Sequence, residues 1–264
     1  MDLQLTDKTA LVTGSSSGIG LAIATGLARE GAAVTLNGRD AARVQRARDT
    51  VLAEVPGAAV DVAVGDVATA RGAADVIDAA PDVDILVNNA STYGPTNFAE
   101  IPDEEWSRYF ETNVMSGVRL ARHHIGRMIA RNDGRMVFIG SDAALEPSPM
   151  MIPYAVSKTA TLTLARGLAE LTRGTKVTVN SVLPGPTTTD GLATTMDTIS
   201  GQMGMSREQL EASYFTSGRP SSLLQRFATP AEVANLVVYL ASPLASVTNG
   251  AVVRAEGGIL HSVV

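Results

Sequence analysis

The sequence predicts an α/β protein: one doubly wound domain over residues 1–264, with a seven-stranded parallel sheet and helices on both faces. Two observations carry this. Short apolar, β-rich runs alternate with longer segments of helical periodicity along the whole chain. No linker, repeat or low-complexity tract interrupts the alternation. A third points to what the fold is for. The first apolar run enters a glycine turn directly, and the turn opens a helix.

That opening unit is Thr9-Ala-Leu-Val-Thr13, then Gly14-Ser-Ser-Ser-Gly18-Ile-Gly20, then a helix expected over Leu21–Glu30 and stopped at Gly31. Glycines between a strand and a helix let the backbone approach a pyrophosphate, which rests on the helix's free N–H groups and positive dipole end. Gly14-Ser-Ser16-Ser-Gly18 also fits a G-x-S-x-G nucleophile elbow. That motif needs several strands before it and an acid and a histidine after it, whereas here it follows the first strand. No Gly-Lys-Ser/Thr is present, which excludes a nucleoside-triphosphate loop.

Ala33–Leu36 is the second expected strand and ends at Asn37-Gly38-Arg39. In a dinucleotide fold this tip meets the adenosine ribose, where an acid selects NAD and an arginine accepts the 2′-phosphate of NADP. No acid stands at positions 36–38, Gly38 leaves room, and Arg39 offers a planar cationic fork, so NADP is expected over NAD. Asp40 is placed to cap a helix running to Ala53. The third strand, Ala58–Val64, ends in Gly65-Asp66; Asp66 either accepts from the adenine amino group or caps the helix running to Ala80. The fourth, Val83–Val87, runs into Asn88-Asn89-Ala90-Ser91 and brings amides to the ligand-binding edge of the sheet. They also suit a turn.

A helix from about Trp106 to Arg131 carries Asn113, a poor residue for a helix interior, which signals a kink or a polar contact. Arg135–Gly140 is the fifth strand. Ser141 stands at its tip, thirteen residues before Tyr154. Tyr154-Ala-Val-Ser-Lys158 then opens a helix from Pro153 to about Arg173. Residues four apart share one helix face. An ammonium near a phenol favours the phenolate, so the tyrosine is expected to be made acidic and able to exchange a proton with an alcohol or carbonyl oxygen. A hydroxyl at Ser141 can bond that same oxygen. Lys176–Leu183 is the sixth strand, Thr229-Pro-Ala-Glu232 starts the last helix, to about Leu240, and Ala251–Arg254 is the seventh strand. Between them, Asp190–Gln225 reads either as an adaptable apolar lid or as a pair of surface helices with methionines packed beneath.

Composition bounds the rest. A hydrophobic fraction of 45% with 18% charge can fill a core, and a net charge of −6 argues against a nucleic-acid partner. There is no cysteine, no apolar run long enough for a membrane span, and no basic n-region before an apolar stretch, so a cytoplasmic location is expected. His123, His124 and His261 have no metal-site spacing.

Thr13-Gly14-Ser-Ser-Ser-Gly18-Ile19-Gly20, Asn88-Asn89-Ala90, Asn113, Ser141, Tyr154-x-x-x-Lys158 and Pro184-Gly185 stand in the order and spacing of the short-chain dehydrogenase/reductase family, which the chain resembles over about residues 5–258. The resemblance implies a Rossmann-type fold and hydride transfer between a nicotinamide cofactor, NADP with NAD possible, and a small-molecule carbonyl or secondary alcohol. It assigns Tyr154 as general acid/base, Lys158 to the nicotinamide ribose and the tyrosine pKa, Ser141 to orienting the substrate oxygen, and Asn113 to a relay water. Gly14, Ser16, Gly18 and Ile19 fall in the pyrophosphate turn. Arg39 and Asp66 lie on the adenosine side, Asn89 at the sheet edge, and Thr187 and Thr189 at the nicotinamide amide and diphosphate.

Departures from the family pattern are Ser91 for a glycine, Gly140-Ser141-Asp142 for a Ser-Ser pair, and Ala255-Glu256 for Val-Asp. The resemblance also implies a homotetramer. A dinucleotide-binding sensor or scaffold without turnover is the alternative that a fold alone leaves open. Residues 91–94, 143–151 and 190–225 are expected to line the substrate pocket and suggest a fairly apolar, medium-sized ligand.

Overall fold

Seven strands, each four to seven residues long, pair in parallel in the order β3-β2-β1-β4-β5-β6-β7. They are β1 (Thr9–Val12), β2 (Ala33–Gly38), β3 (Val60–Val64), β4 (Ile85–Asn88), β5 (Arg135–Ile139), β6 (Thr178–Pro184) and β7 (Val252–Ala255). This computed structural model describes residues 1–95 and 97–263, with the backbone alone described at Asp190, Thr195 and Gln202. The helices are α1 (Gly18–Arg29), α2 (Ala41–Glu54), α3 (Ala70–Ala79), α4 (Asp103–Phe110), α5 (Ser116–Arg131), α6 (Ile152–Leu171), α7 (Asp190–Met203), α8 (Arg207–Ser213) and α9 (Pro230–Ala241). The expected Rossmann-type architecture is therefore present, with strand and helix ends displaced by a few residues.

The central strands are apolar on both sides because both sides are covered. Side chains alternate along a strand, so neighbours go to opposite layers. Val12, Val87, Val137 and Ile139 pack with Ile23 and Leu27 of α1, Val44 of α2 and Val237 of α9. Leu11, Leu86, Met136 and Phe138 pack with Val76 of α3, Leu120 and Met128 of α5 and Ala165 of α6. Each large side chain so buried contributes about 1.5–3 kcal/mol. α1 and α9 come close enough that a Cβ at Gly26 would meet Val238 at 2.9 Å.

Two features correct or refine the expected elements. Thr69, not Asp66, caps α3, accepting from Gly72 N; Asp66 Oδ1 instead accepts from Ala68 N. The predicted helix around Asn113 begins at Asp103 and is broken by a π turn over Glu111–Met115 that separates α4 from α5. The polar contact is thus present.

The stretch after β6 forms α7 and α8, followed by a π turn over Tyr214–Gly218. Met196, Phe215 and Phe227 make a small core of its own, with Leu192, Leu210 and Tyr214 packed against it. The expectation of helices with a methionine beneath holds for Met196, while Met203 faces solvent.

β1 pairs with β2 on one side and β4 on the other, so the chain reverses its direction of travel across the sheet there. A crevice opens at such a switch point, beyond the carboxyl ends of the strands.

Candidate active site

The glycine turn beyond β1 is built for close approach. Gly14 and Gly18 have φ of +60° and +58°, where a side chain is strained. A Cβ at Gly14 would lie 2.9 Å from Ala90 Cα, and one at Gly20 2.4 Å from Asn89 Nδ2. Two asparagines clamp the turn. Asn89 Nδ2 donates to the carbonyls of Thr13 (2.8 Å) and Gly14 (3.0 Å). Asn37 Oδ1 accepts from Gly14 N at 3.3 Å, while its Nδ2 donates to Ala63 O and Gly65 O. Asn89, expected at a cofactor, thus has its amide nitrogen committed to shaping the turn. The role of Asn37 was not visible in the sequence, because its partners lie in other strands.

α1 begins at this turn with Ser17 as N-cap, no side-chain capping bond and no acid in the first turn. Its first N–H groups, those of Gly18 and Ile19 included, have no partner within the helix. The donor set fits an anion such as a pyrophosphate. Thr189 stands opposite: it caps α7 through a bond from Leu192 N, and its methyl would lie 3.3 Å from a Cβ on Gly18. Thr187 is buried, donates to Gly185 O at 2.9 Å and bridges to Ala228.

On the adenosine side, a Cβ at Gly38 would be 3.4 Å from Ser16 Cβ, so Ser16 sits against the tip of β2. Arg39 follows there, exposed to solvent. Gly65 N donates to Gly38 O, which sets half-buried Asp66 beside the same tip. The glycine turn and the open tip of β2 fit a dinucleotide along this edge.

At the other end, Ser141, Tyr154 and Lys158 meet beyond β5. Lys158 is buried, 3% exposed; its Nζ donates to Ile139 O at 2.7 Å and lies 5.6 Å from the centroid of the Tyr154 ring. Burial lowers the Lys158 pKa to about 7. Burial also pushes the Tyr154 phenol above its ordinary value, against the Ser141 hydroxyl, which lowers it, and with a further push from the Asp142 charge. The sequence expectation of a phenol made acidic by its lysine is corrected here. Removing each group from water favours its neutral form, and burial is the first cause of both shifts.

Asn113, in the π turn, has its side chain fully engaged. Oδ1 accepts from Thr92 N (2.7 Å) and Ser91 Oγ (3.2 Å), and Nδ2 donates to Ser157 Oγ (2.8 Å) and Thr92 O (3.0 Å). Its own carbonyl accepts from Thr161 Oγ1. The side chain ties the loop after β4 to α6, one residue from Lys158, and Ser91 adds a bond that a glycine would lack.

Three residues near the set had no individual role in the sequence expectations, although Tyr93 and Arg219 fall in segments expected to line the pocket. Ser141 donates its hydroxyl proton to Asp142 Oδ1 at 3.0 Å and accepts from Ala143 N. Arg219, just after the Tyr214–Gly218 turn, places Nη2 3.7 Å from Asp142 Oδ2. Tyr93 stands 6.1 Å from the Tyr154 ring, tilted by 59°, and its hydroxyl is 3.3 Å from where a Cβ on Gly191 would be. The start of α7 therefore touches both the glycine turn and the wall of the tyrosine site. Asp142 was visible as a departure beside Ser141; Arg219 left no local signal.

Among the described residues there is no His/Cys/Asp/Glu cluster able to hold a metal and no helix long and apolar enough to cross a membrane.

A profile of the family described as short chain dehydrogenase matches residues 8–199. The chain is 46% identical over 263 residues to the uncharacterized oxidoreductase YvaG of Bacillus subtilis, covering 100% of both chains. It is 33% identical over 258 residues to a D-beta-hydroxybutyrate dehydrogenase of Rhizobium meliloti, covering 95% of this chain and 98% of that one. Among solved structures, L-sorbose reductase from Gluconobacter frateurii, complexed with NADPH and L-sorbose, superposes with a TM-score of 0.93 at 34% identity over 100% of both chains.

Proposed function

The chain belongs to the short-chain dehydrogenase family, and from that premise we propose that it is an NADP(H)-dependent oxidoreductase that interconverts a ketone and a secondary alcohol. The observation that carries this is the pairing of an uncapped α1 N-terminus behind a glycine cradle with a half-buried Tyr154 between buried Ser141 and Lys158, the two bridged by the start of α7. The solved relative holding NADPH supports the choice of cofactor, as does Arg39 at the tip of β2.

Gly14, Gly18 and Ile19 would hold the pyrophosphate through backbone N–H groups, Ser16 and Arg39 the 2′-phosphate, Asp66 the adenine side, and Lys158, Thr187 and Thr189 the nicotinamide end. When bound, the nicotinamide supplies or takes the hydride. Tyr154 does the proton work. Its phenol is protonated at neutral pH, the form that donates to a carbonyl oxygen. Ser141 assists that oxygen once its hydroxyl turns from Asp142. Lys158, near pKa 7, holds or releases a proton beside the tyrosine at working pH. Asn113 positions the loop after β4 against α6. Residues 190–225 act as the substrate lid on a single domain over 1–264. The assembly is taken to be a cytoplasmic homotetramer, for which light scattering should give four times the 27.4 kDa chain.

The test is titration with NADPH and NADH, followed by a panel of ketones with the preferred cofactor. NADPH should bind more tightly, and Tyr154→Phe should lose about 10²–10⁴-fold in turnover while still binding it. Tighter NADH binding would overturn the role of Arg39; full turnover by Tyr154→Phe would overturn the catalytic assignment.

A further inference from the structure

The hydroxyl assigned to the substrate oxygen is already engaged. Ser141 Oγ accepts from Ala143 N at 3.2 Å and lies 3.0 Å from Asp142 Oδ1. A serine hydroxyl has one proton and two lone pairs, and an ionised carboxylate only accepts. Beside an ionised Asp142 the Ser141 proton must point at Oδ1, and none is left for a substrate. Beside a neutral Asp142 the same contact runs the other way, with the carboxyl O–H donating to Oγ. Ala143 N–H and Asp142 then take both Oγ lone pairs. The Ser141 proton is free to turn toward the Tyr154 phenol, which this hydroxyl adjoins.

The surroundings of Asp142 favour the neutral form. It is 5% exposed, and its buried Oδ2 has no hydrogen-bond partner. A buried charge without donors is costly. Charged and titratable groups reach it from several elements. Arg219, after the Tyr214–Gly218 turn, brings Nη2 to 3.7 Å from Oδ2, too far for a hydrogen bond, and also interacts with Tyr214 and Glu146. Glu256, after β7, adds a like charge, its carboxylate accepting from the backbone N–H groups of Ile259 and Leu260. From α6 comes Tyr154, whereas Lys158 Nζ donates to Ile139 O. Burial thus holds the Asp142 carboxyl above its ordinary value, with Arg219 pulling the other way.

We propose that Asp142 is a positioning residue for ketone reduction: its carboxyl proton turns the Ser141 O–H outward to the substrate oxygen, and its ionisation draws that O–H back. The proposal rests on the ketone/alcohol function above and adds a regulatory group to the same site. Arg219 sets the balance from the other carboxyl oxygen, since a guanidinium there favours the carboxylate and so withdraws the serine.

The test is the pH dependence of NADPH oxidation by ketones in single turnovers, which reads the chemical step. The wild-type rate should fall on the order of a hundredfold as pH rises through the Asp142 ionisation, the usual effect of losing one donor to a developing oxyanion. Asp142→Asn should lose that limb and overtake wild type above it. Arg219 keeps the amide oxygen on the Oδ2 side, so Nδ2 donates to Ser141 at every pH. Ser141→Ala should be slow throughout and show no such limb. Arg219→Gln should move the limb to higher pH, yet move nothing in the Asp142→Asn background. A level wild-type profile, a limb kept by Asp142→Asn, or an Arg219→Gln shift that persists without Asp142 would each overturn the proposal, the last by assigning the limb to Lys158. Difference infrared spectroscopy separates the two levels, because the band of a neutral carboxyl reads Asp142 without turnover. That band, present in wild type, missing from Asp142→Asn and lost as pH rises, would uphold the switch even if no ketone were reduced, an outcome that defeats the reductase function alone. Ketone reduction without the band would defeat the switch alone.

Discussion

The two halves of the crevice are made of different material. The cofactor half is backbone: glycines at positive φ, a bare helix N-terminus, and the amides of Asn37 and Asn89 donating to and accepting from main-chain groups. The substrate half is side chain: Ser141, Asp142, Tyr154, Lys158 and Arg219, drawn from three separate segments and held in or near a dry interior. A phosphate site needs only donors in fixed places, which backbone supplies without changing its protonation. An acid/base site needs groups that titrate, and burying them to tune them costs stability.

The sharpest way to break this contrast is at Lys158. The unfolded lysine keeps its proton up to about 10.5, whereas the folded one gives it up near 7. Between these values the unfolded state binds more protons, so stability should rise with pH, by about 1.4 kcal/mol per unit at most and on the order of 5 kcal/mol in full. Lys158→Met should abolish that rise while leaving Ile139 O without its donor, an offset of about 1–3 kcal/mol. Denaturant unfolding at several pH values from 7 to 9.5 checks it, staying below the range where Tyr154 adds the opposite slope. A flat wild-type profile would mean that the lysine is not held near 7.

The mirror experiment addresses the cofactor half. Asn89→Ala strips donors from the carbonyls of Thr13 and Gly14 and should cost about 2–3 kcal/mol, with a weaker affinity for NADPH and no new pH dependence. A pH-dependent loss would erase the distinction between the halves. The smallest effect is expected at the exposed rim: Arg39→Ala should weaken NADPH binding roughly fivefold to tenfold and leave NADH unchanged, as competition titrations would show.

The same division separates what could be read from the chain from what could not. The Thr13–Gly20 turn was legible because its parts are contiguous and glycine is required for a local reason. Asn113 was legible as a break because asparagine competes for backbone bonds, and a π turn lies there. The Asp142–Arg219 approach was not legible, since those residues are far apart in sequence and meet only when the segment after β6 folds over β5. Nor were the clamps of Asn37 and Asn89, whose partners lie in other strands and turns.

Tyr154 and Lys158 show both sides at once. Their spacing of four, at the head of a helix, was enough to bring them to one face, since helical geometry is local. The direction of their pKa shifts was decided by the tertiary structure. Ion attraction at helical spacing favours the charged pair, and only the packing that removes water shows that the neutral forms prevail. The alternation of apolar runs and helices determined the sheet, because hydrophobic burial acts on pattern. What lies across the crevice from what was left to the fold, because distance in space is not written in distance along the chain.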